Sequence, residues 1–358
     1  MTHRRGPWAR RWGGLALVAL ALAGCPRFHD GPLPGEPTDS TYAELPDGTR
    51  VRYVDEGEGP AVVLVHGFAA SMDTWRTLRP ELAADHRVLA LDLKGFGWSE
   101  RPEGDYSPLA QARLVFALMD QRGIERATLV AHSWGSSVAL AMALEHPERI
   151  ERIALYDAWV FEEQLPPTFV WARARGLGEI IFSTFYKQRP DDKLASAFYD
   201  PTVLSQEYVD MVETMLDRPG TVAAALAAVR GQRYAAYQER YRRIEQPTLL
   251  LWGREDPITQ LQDGERLASM LPDVRMKVYP RCGHFPMHEA RASSTRDLLE
   301  FLRTEPALES TAALAGEPEA IDAPHSPRAD EVEPGPPPAP TPRHEPAPAD
   351  GGGSEATP

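Results

Sequence analysis

Apolar residues recur along this chain in two alternating patterns. Short apolar-rich runs occupy residues 61–65 (Ala-Val-Val-Leu-Val, unbroken), 88–91, 127–131, 152–156, 248–252 and 276–279. Between most of them lie stretches with apolar residues at helical spacing, around 74–84, 108–121, 136–146, 264–270 and 291–302. A strand that is apolar without alternation is buried on both faces, as in parallel sheets covered by helices. The alternation therefore predicts an α/β fold, with a mostly parallel sheet and helices on both faces. Residues 51–54 follow a Pro46-Asp47-Gly48 turn and read as the second strand of a hairpin. From 158 to 241 no strand pattern occurs, only helix-like stretches rich in Trp, Phe and Tyr. A gap of that length exceeds an ordinary connection, so it predicts a helical cap inserted over the C-terminal edge of the sheet. The sheet domain is then 41–157 plus 242–304.

The two ends differ from this body. Residues 1–11 are basic and carry no acid; an apolar run follows over about 15–23, ending Leu22-Ala23-Gly24-Cys25. A charged start, a short apolar stretch and small residues before a cut describe a secretory signal over 1–24. The run is too short to span ~30 Å of hydrocarbon comfortably. Cysteine directly after Leu-Ala-Gly resembles the lipobox of bacterial lipoproteins, which implies acylation at Cys25 and a lipid anchor in the cell envelope. Residues 25–40, rich in Pro, Gly and Asp, read as a flexible tether. Residues 305–358 hold thirteen prolines and eleven acids against two arginines, a composition that predicts disorder. With Cys25 acylated, Cys282 has no partner left for a disulfide. The chain's net charge of −14 disfavours nucleic acid, whose phosphates repel an acidic domain.

Chemistry concentrates where strands end. The run 127–131 leads through His132 to Ser133-Trp134-Gly135-Ser136 and a helical pattern, giving strand, sharp turn, helix. Small residues at Ala131 and Gly135 let strand and helix pack closely around a serine whose Oγ is held at the sheet edge. The strand ending at Val65 leads into His66-Gly67-Phe68, and the backbone N–H groups of Phe68 and Trp134 are the predicted oxyanion hole. The strand 248–252 leads into Gly253-Arg254-Glu255-Asp256-Pro257. Asp256 there is the predicted acid that orients an imidazole; Asp157, after an earlier strand, is its rival and Glu255 a weaker one. The last strand leads into Cys282-Gly283-His284, and His284 is the predicted general base. His288, His132 and His66 read as local structural residues, and Cys282 as a packed thiol. No metal-spaced His/Cys cluster or glycine-rich phosphate loop occurs, and the chemistry predicted needs no cofactor.

The order Ser133, Asp256, His284, each after its own strand, resembles the α/β-hydrolase superfamily over about residues 41–303. Asp92-Leu93-Lys94-Gly95-Phe96-Gly97-Trp98-Ser99 looks like that family's D-x-x-G-x-G-x-S loop. The stretch 129–156 is similar to haloalkane dehalogenases and epoxide hydrolases, but these use an aspartate nucleophile where this chain has Ser133. The resemblance thus implies the α/β-hydrolase fold and its serine branch, among carboxylesterases, lactonases, carbon–carbon bond hydrolases of meta-cleavage products and proline iminopeptidases. The expected activity is hydrolysis of small to medium apolar esters through a Ser133–His284–Asp256 triad. Carbon–carbon bond hydrolysis and triad-bearing ligand sensing are the alternatives. The cap aromatics Trp159, Phe161, Phe169, Trp171, Phe182, Phe185 and Tyr186 either line an apolar pocket or form the cap's own core, the second being favoured for any single one.

Overall fold

The structure, a computed structural model, describes residues 25–303. The expected signal segment 1–24 and the tail 305–358 lie outside the described residues. Eight strands form one sheet: β1 (Thr41–Glu44), β2 (Arg50–Glu56), β3 (Ala61–Val65), β4 (Arg87–Leu91), β5 (Ala127–His132), β6 (Ile150–Tyr156), β7 (Thr248–Gly253) and β8 (Val274–Tyr279). Their order is β1-β2-β4-β3-β5-β6-β7-β8. The β1–β2 and β2–β4 pairs are antiparallel and all the others parallel. The expected α/β-hydrolase architecture is therefore present.

The unbroken apolar runs are explained by two cores, one on each face. Along β3, Val63 and Val65 join one core while Val62 and Leu64 join the other. The same alternation holds for Leu89 against Val88 in β4 and for Leu250 against Leu249 in β7, as the two-residue repeat of a strand requires. The helices Pro108–Gln121 and Trp134–Glu145 supply Val115, Met119, Val138 and Met142 to the first core. The helix Arg291–Arg303 supplies Leu298 and Phe301 to the second. At the edge, β8 exposes Arg275 and Lys277, charges that discourage pairing with another chain.

Two expectations change. Residues 74–84 are not one helix but a 3₁₀ turn, Met72–Trp75, and a single helical turn, Arg79–Leu82. The start of the first is fixed from outside, by Met72 N–H donating to Asp92 Oδ1 at 2.7 Å. Residues 26–40, expected as a tether, lie against the body instead. Leu33 is buried, the Phe28 ring stacks on Tyr106 at 6.0 Å, and His29 N–H donates to the Arg101 carbonyl at 3.0 Å. A Pro/Gly/Asp-rich composition describes most of that segment but misses its two apolar anchors.

Between β6 and β7 the chain makes only helical turns, among them Pro167–Ala172, Leu177–Phe185, Gln206–Asp217 and Thr221–Gly231. This is the expected helical insertion. Because β4 and β5 flank β3 on opposite sides, the strand order reverses there, and a ligand crevice opens at such a point. Ser133 and Phe68 follow the two strands that meet at it.

Candidate active site

Ser133 sits between β5 and the helix Trp134–Glu145 with φ 51° and ψ −125°, backbone values that cost a non-glycine residue about 1–3 kcal/mol. Its N–H donates to the Tyr156 carbonyl at 2.9 Å, and its own carbonyl accepts from Ser136 and Trp159. These bonds hold the sharp turn, and only small neighbours allow it. A Cβ on Gly135 would stand 2.4 Å from the His66 carbonyl oxygen and 2.7 Å from that of Val65. A Cβ on Gly67 would stand 3.0 Å from Ser133 Cβ, so the loop after β3 passes directly over the serine. Among the described residues, neither the Phe68 nor the Trp134 backbone N–H makes a hydrogen bond. Two such donors beside a serine at the sheet edge are what an oxyanion needs.

His66 and the Asp92 loop brace this arrangement. His66 Nδ1 lies 2.8 Å from the Gly67 carbonyl and Nε2 accepts from Leu93 N–H at 2.9 Å. These partners place the proton on Nδ1. Asp92 accepts from Met72 N–H and Trp98 N–H, the second at 2.8 Å. Gly97, at φ 52°, permits that second contact, since a Cβ there would meet the Asp92 carboxylate at 2.1 Å.

His284 Nδ1 stands 2.7 Å from Asp256 Oδ2, and both side chains are buried. Asp256 is fixed by Ile258 N–H at 2.7 Å, Thr259 N–H at 3.1 Å and Thr259 Oγ1–H at 2.6 Å. Thr259 was not anticipated, although Asp-Pro-Ile-Thr has the form of a local turn in which a hydroxyl and two amides satisfy one carboxylate. Nε2 of His284 makes no hydrogen bond among the described residues, and Ser133 is 6% exposed. The base's loop is held by the cap as well: His284 N–H donates to the Ala197 carbonyl at 2.8 Å. Glu289 accepts from Gly283 N–H at 2.9 Å and Tyr199 N–H at 2.8 Å. Glu255, the weaker acid candidate, points away from the imidazole and accepts from Cys282 N–H at 3.1 Å. Cys282 is buried, and burial pushes its thiol well above the ordinary range, so it is held as the unreactive thiol.

Asp157, the rival acid, does not bond the imidazole but lies beside the pair. One ligand atom each of Asp157, Asp256 and His284 fall within 4.8 Å of one another. Asp256 Oδ2 and His284 Nδ1 are spent on each other, so the cluster is an acid–imidazole pair with a second acid alongside rather than a cation cage.

His132 is fully enclosed. Its Nε2 lies 2.8 Å from the His284 carbonyl, so the proton is on Nε2. Burial, then the neighbouring His284, hold its pKa well below the usual imidazole value. A folded-state pKa below that of the unfolded chain leaves stability intact above about pH 6.5 and removes it as pH falls, because only the unfolded chain takes up the proton. The urea midpoint is therefore expected to drop between pH 7 and pH 5, and less so in His132→Gln. An equal drop in both proteins would show that His132 titrates within the fold. His288, half-buried next to Tyr208, is pushed down to about 4 by burial and is remote from the reacting atoms' hydrogen bonds.

Above the serine, the Phe68 ring meets Phe96 at 5.6 Å, Phe169 at 5.5 Å, Trp134 at 6.2 Å and Tyr186 at 6.2 Å. The cap aromatics thus divide. Phe169 and Tyr186 pack over the oxyanion loop, with Trp159 against Phe169. Phe161 and Phe182 are buried packing residues. Trp171 and Phe185, 57% and 58% exposed, face outward.

Comparison with known proteins agrees with this fold. The model of the family described as alpha/beta hydrolase fold matches residues 60–290. A 2-hydroxymuconate semialdehyde hydrolase of Pseudomonas sp. (strain CF600) is 32% identical over 269 residues, which cover 69% of this chain and 89% of that protein. A 2-hydroxy-6-oxononadienedioate/2-hydroxy-6-oxononatrienedioate hydrolase of Comamonas testosteroni is 30% identical over 264 residues, 71% of this chain and 91% of its own. Among solved structures, a meta-cleavage product hydrolase from Pseudomonas fluorescens IP01 is similar, with 26% identity and a TM-score of 0.62 over 73% of this chain and 97% of that one.

Proposed function

The chain belongs to the α/β-hydrolase family, and within it we propose a serine-dependent hydrolase that cleaves a carbon–carbon bond next to a carbonyl in vinylogous diketones. The hydrolases it resembles at 30–32% identity act, by their names, on 2-hydroxymuconate semialdehyde and on 2-hydroxy-6-oxononadienedioate or -trienedioate, and a similar solved structure is named a meta-cleavage product hydrolase, which favours the alternative expectation over simple esters. The single observation that carries the chemistry is the 2.7 Å His284–Asp256 contact beside a serine held at positive φ.

In this reading His284 takes the proton of Ser133 as Oγ attacks the carbonyl, and the N–H groups of Phe68 and Trp134 hold the oxyanion. The dienol reacts as its keto tautomer, protonated at the carbon next to the attacked carbonyl. When the intermediate collapses, the carbon–carbon bond therefore breaks and its electron pair enters a conjugated dienolate. That delocalisation makes a carbon leaving group tolerable where an ester would release an alkoxide. His284 returns the proton to the leaving dienolate, and water, activated by the same imidazole, frees the acyl group from Ser133. Asp256 holds the imidazole tautomer and balances its cation. The aromatic shell of Phe68, Phe169 and Tyr186 suits the flat conjugated portion of such a substrate.

The test is a paired panel of a 2-hydroxy-6-oxo-dienoate and p-nitrophenyl esters. The kcat/KM for the diketone is expected to exceed that for the best ester by at least about tenfold. The reverse ranking would return the enzyme to ester hydrolysis.

The same proposal places the enzyme at a membrane through an acyl group on Cys25, which is exposed at the start of the described body. Support comes from the Leu-Ala-Gly-Cys sequence. Fatty-acid labelling in cells is expected for the parent and not for Cys25→Ser; equal labelling, or none in either, removes the anchor.

A further inference from the structure

Asp157 follows β6, the strand beside the one that delivers Ser133, and the steps above make no use of it. Its backbone is left-handed, with φ 43°, and it is 0% exposed. Oδ1 accepts from Gly253 N–H at 2.8 Å, while Oδ2 is buried with no donor facing it. That orphaned oxygen belongs to the carboxyl packed within 4.8 Å of Asp256 and His284.

The surroundings decide its protonation state. The charged groups that face it, Asp256 and Glu289, are both acids, and the nearby Cys282 thiol stays protonated. Within the cluster of Asp157, Asp256 and His284 the group able to become positive is His284, and its Nδ1 is already bonded to Asp256. Two carboxylates at this separation, out of water and sharing one imidazole, do not both ionise. Four donors converge on Asp256, the arrangement a carboxylate needs. Asp157 has one. Burial, then the charge of Asp256, push the Asp157 carboxyl well above the ordinary range. A proton on Oδ2 also turns the orphaned oxygen into a donor aimed at its neighbour.

We propose that Asp157 is a neutral carboxylic acid whose retained O–H donates a hydrogen bond to Asp256, a positioning residue for the triad and a reserve acid that ionises when Asp256 is removed. The inference rests on the assignment of Asp256 and His284 above. The Asp157 proton stays in place during turnover; only the serine proton travels through His284. A charged Asp157 would overstabilise the imidazolium and make it a poorer donor to the leaving group.

The experiment compares four variants of the full chain. Asp157→Ala leaves Asp256 without that donor and is expected to lower kcat by about tenfold. Asp157→Asn, whose amide oxygen accepts from Gly253 and whose NH₂ donates to Asp256, is expected to recover most of that loss with the acid limb of the kcat/KM profile in place. If Asn is as poor as Ala, or the acid limb moves down by about a unit, Asp157 is a carboxylate and the proposal falls. Asp256→Asn is expected to retain about 1% of parent activity, and Asp157→Asn/Asp256→Asn about tenfold less. Equality of those two overturns the reserve role. Infrared difference spectra at neutral pH read protonation independently of folding losses in the Ala variant. The parent is expected to show a protonated carboxyl C=O band that Asp157→Asn lacks, and absence of the band overturns the proposal. If Asp256→Asn alone is fully active, the triad assignment is what fails, and the infrared band still decides the state of Asp157.

Discussion

Ser133→Ala is expected to lose fluorophosphonate labelling completely and to turn over at no more than about 10⁻⁴ of the parent rate. The size of the effect follows from what the side chain is asked to do. The oxyanion donors at Phe68 and Trp134 and the His284–Asp256 pair all act on one covalent step at Oγ, so without that atom they have nothing to stabilise. The loss should fall on kcat with KM little changed, because Phe68, Phe169 and Tyr186 are left intact. Stability should also change little. Ser133 Oγ makes no hydrogen bond among the described residues, and alanine meets the same φ cost as serine. Single-turnover rates on the diketone substrate, with peptide mapping of the labelled site, check both parts. A rate within tenfold of the parent would mean that His284 activates water directly and that the serine is not the nucleophile.

The parts of this site that were legible in sequence are those where one residue and its immediate neighbours determine the outcome. The run 61–65 is apolar without alternation because both faces of β3 are buried, and that alone placed it at the sheet centre. Ser133, Asp256 and His284 were legible as candidates because each follows a strand pattern. What could not be read depends on groups far along the chain. The break of 74–84 into two turns is set by Asp92, twenty positions from Met72. The packing of 26–40 depends on Phe28 finding Tyr106. The choice between Asp157 and Asp256 was open because both end strands; in the structure it is Asp256 that reaches His284 Nδ1, with Thr259 holding its carboxylate. The outward turn of Trp171 and Phe185 is likewise a matter of how the cap sits, which composition does not carry. Substrate class was hardest, since an ester and a vinylogous diketone call on the same three side chains and differ only in the leaving group.

Gly135→Ala is expected to cost about 3 kcal/mol of stability, and Gly135→Val is expected to yield no cooperatively folding protein. The cause is a lack of space at one point. The new Cβ would stand 2.4 Å from the His66 carbonyl oxygen and 2.7 Å from that of Val65, and both are backbone atoms at the end of β3. A flexible side chain could swing aside, but β3 is clamped by parallel pairing to β4 and β5 along its length. The strain can be relieved only by moving the helix Trp134–Glu145 away from the sheet, and its residues 134–143 are buried on all sides. For a domain of this size the alanine variant should melt about 6–12 °C below the parent. It should also lose more activity than stability predicts. The displaced helix carries the Trp134 N–H, and the pushed carbonyls belong to the loop that carries Phe68, so both oxyanion donors shift relative to Ser133. Calorimetry paired with kcat at a temperature where both proteins are folded separates the two effects. A variant that melts with the parent and matches its rate would show that β3 yields at this point. The support of the serine turn would then lie elsewhere, in the hydrogen bonds to Tyr156 and Trp159.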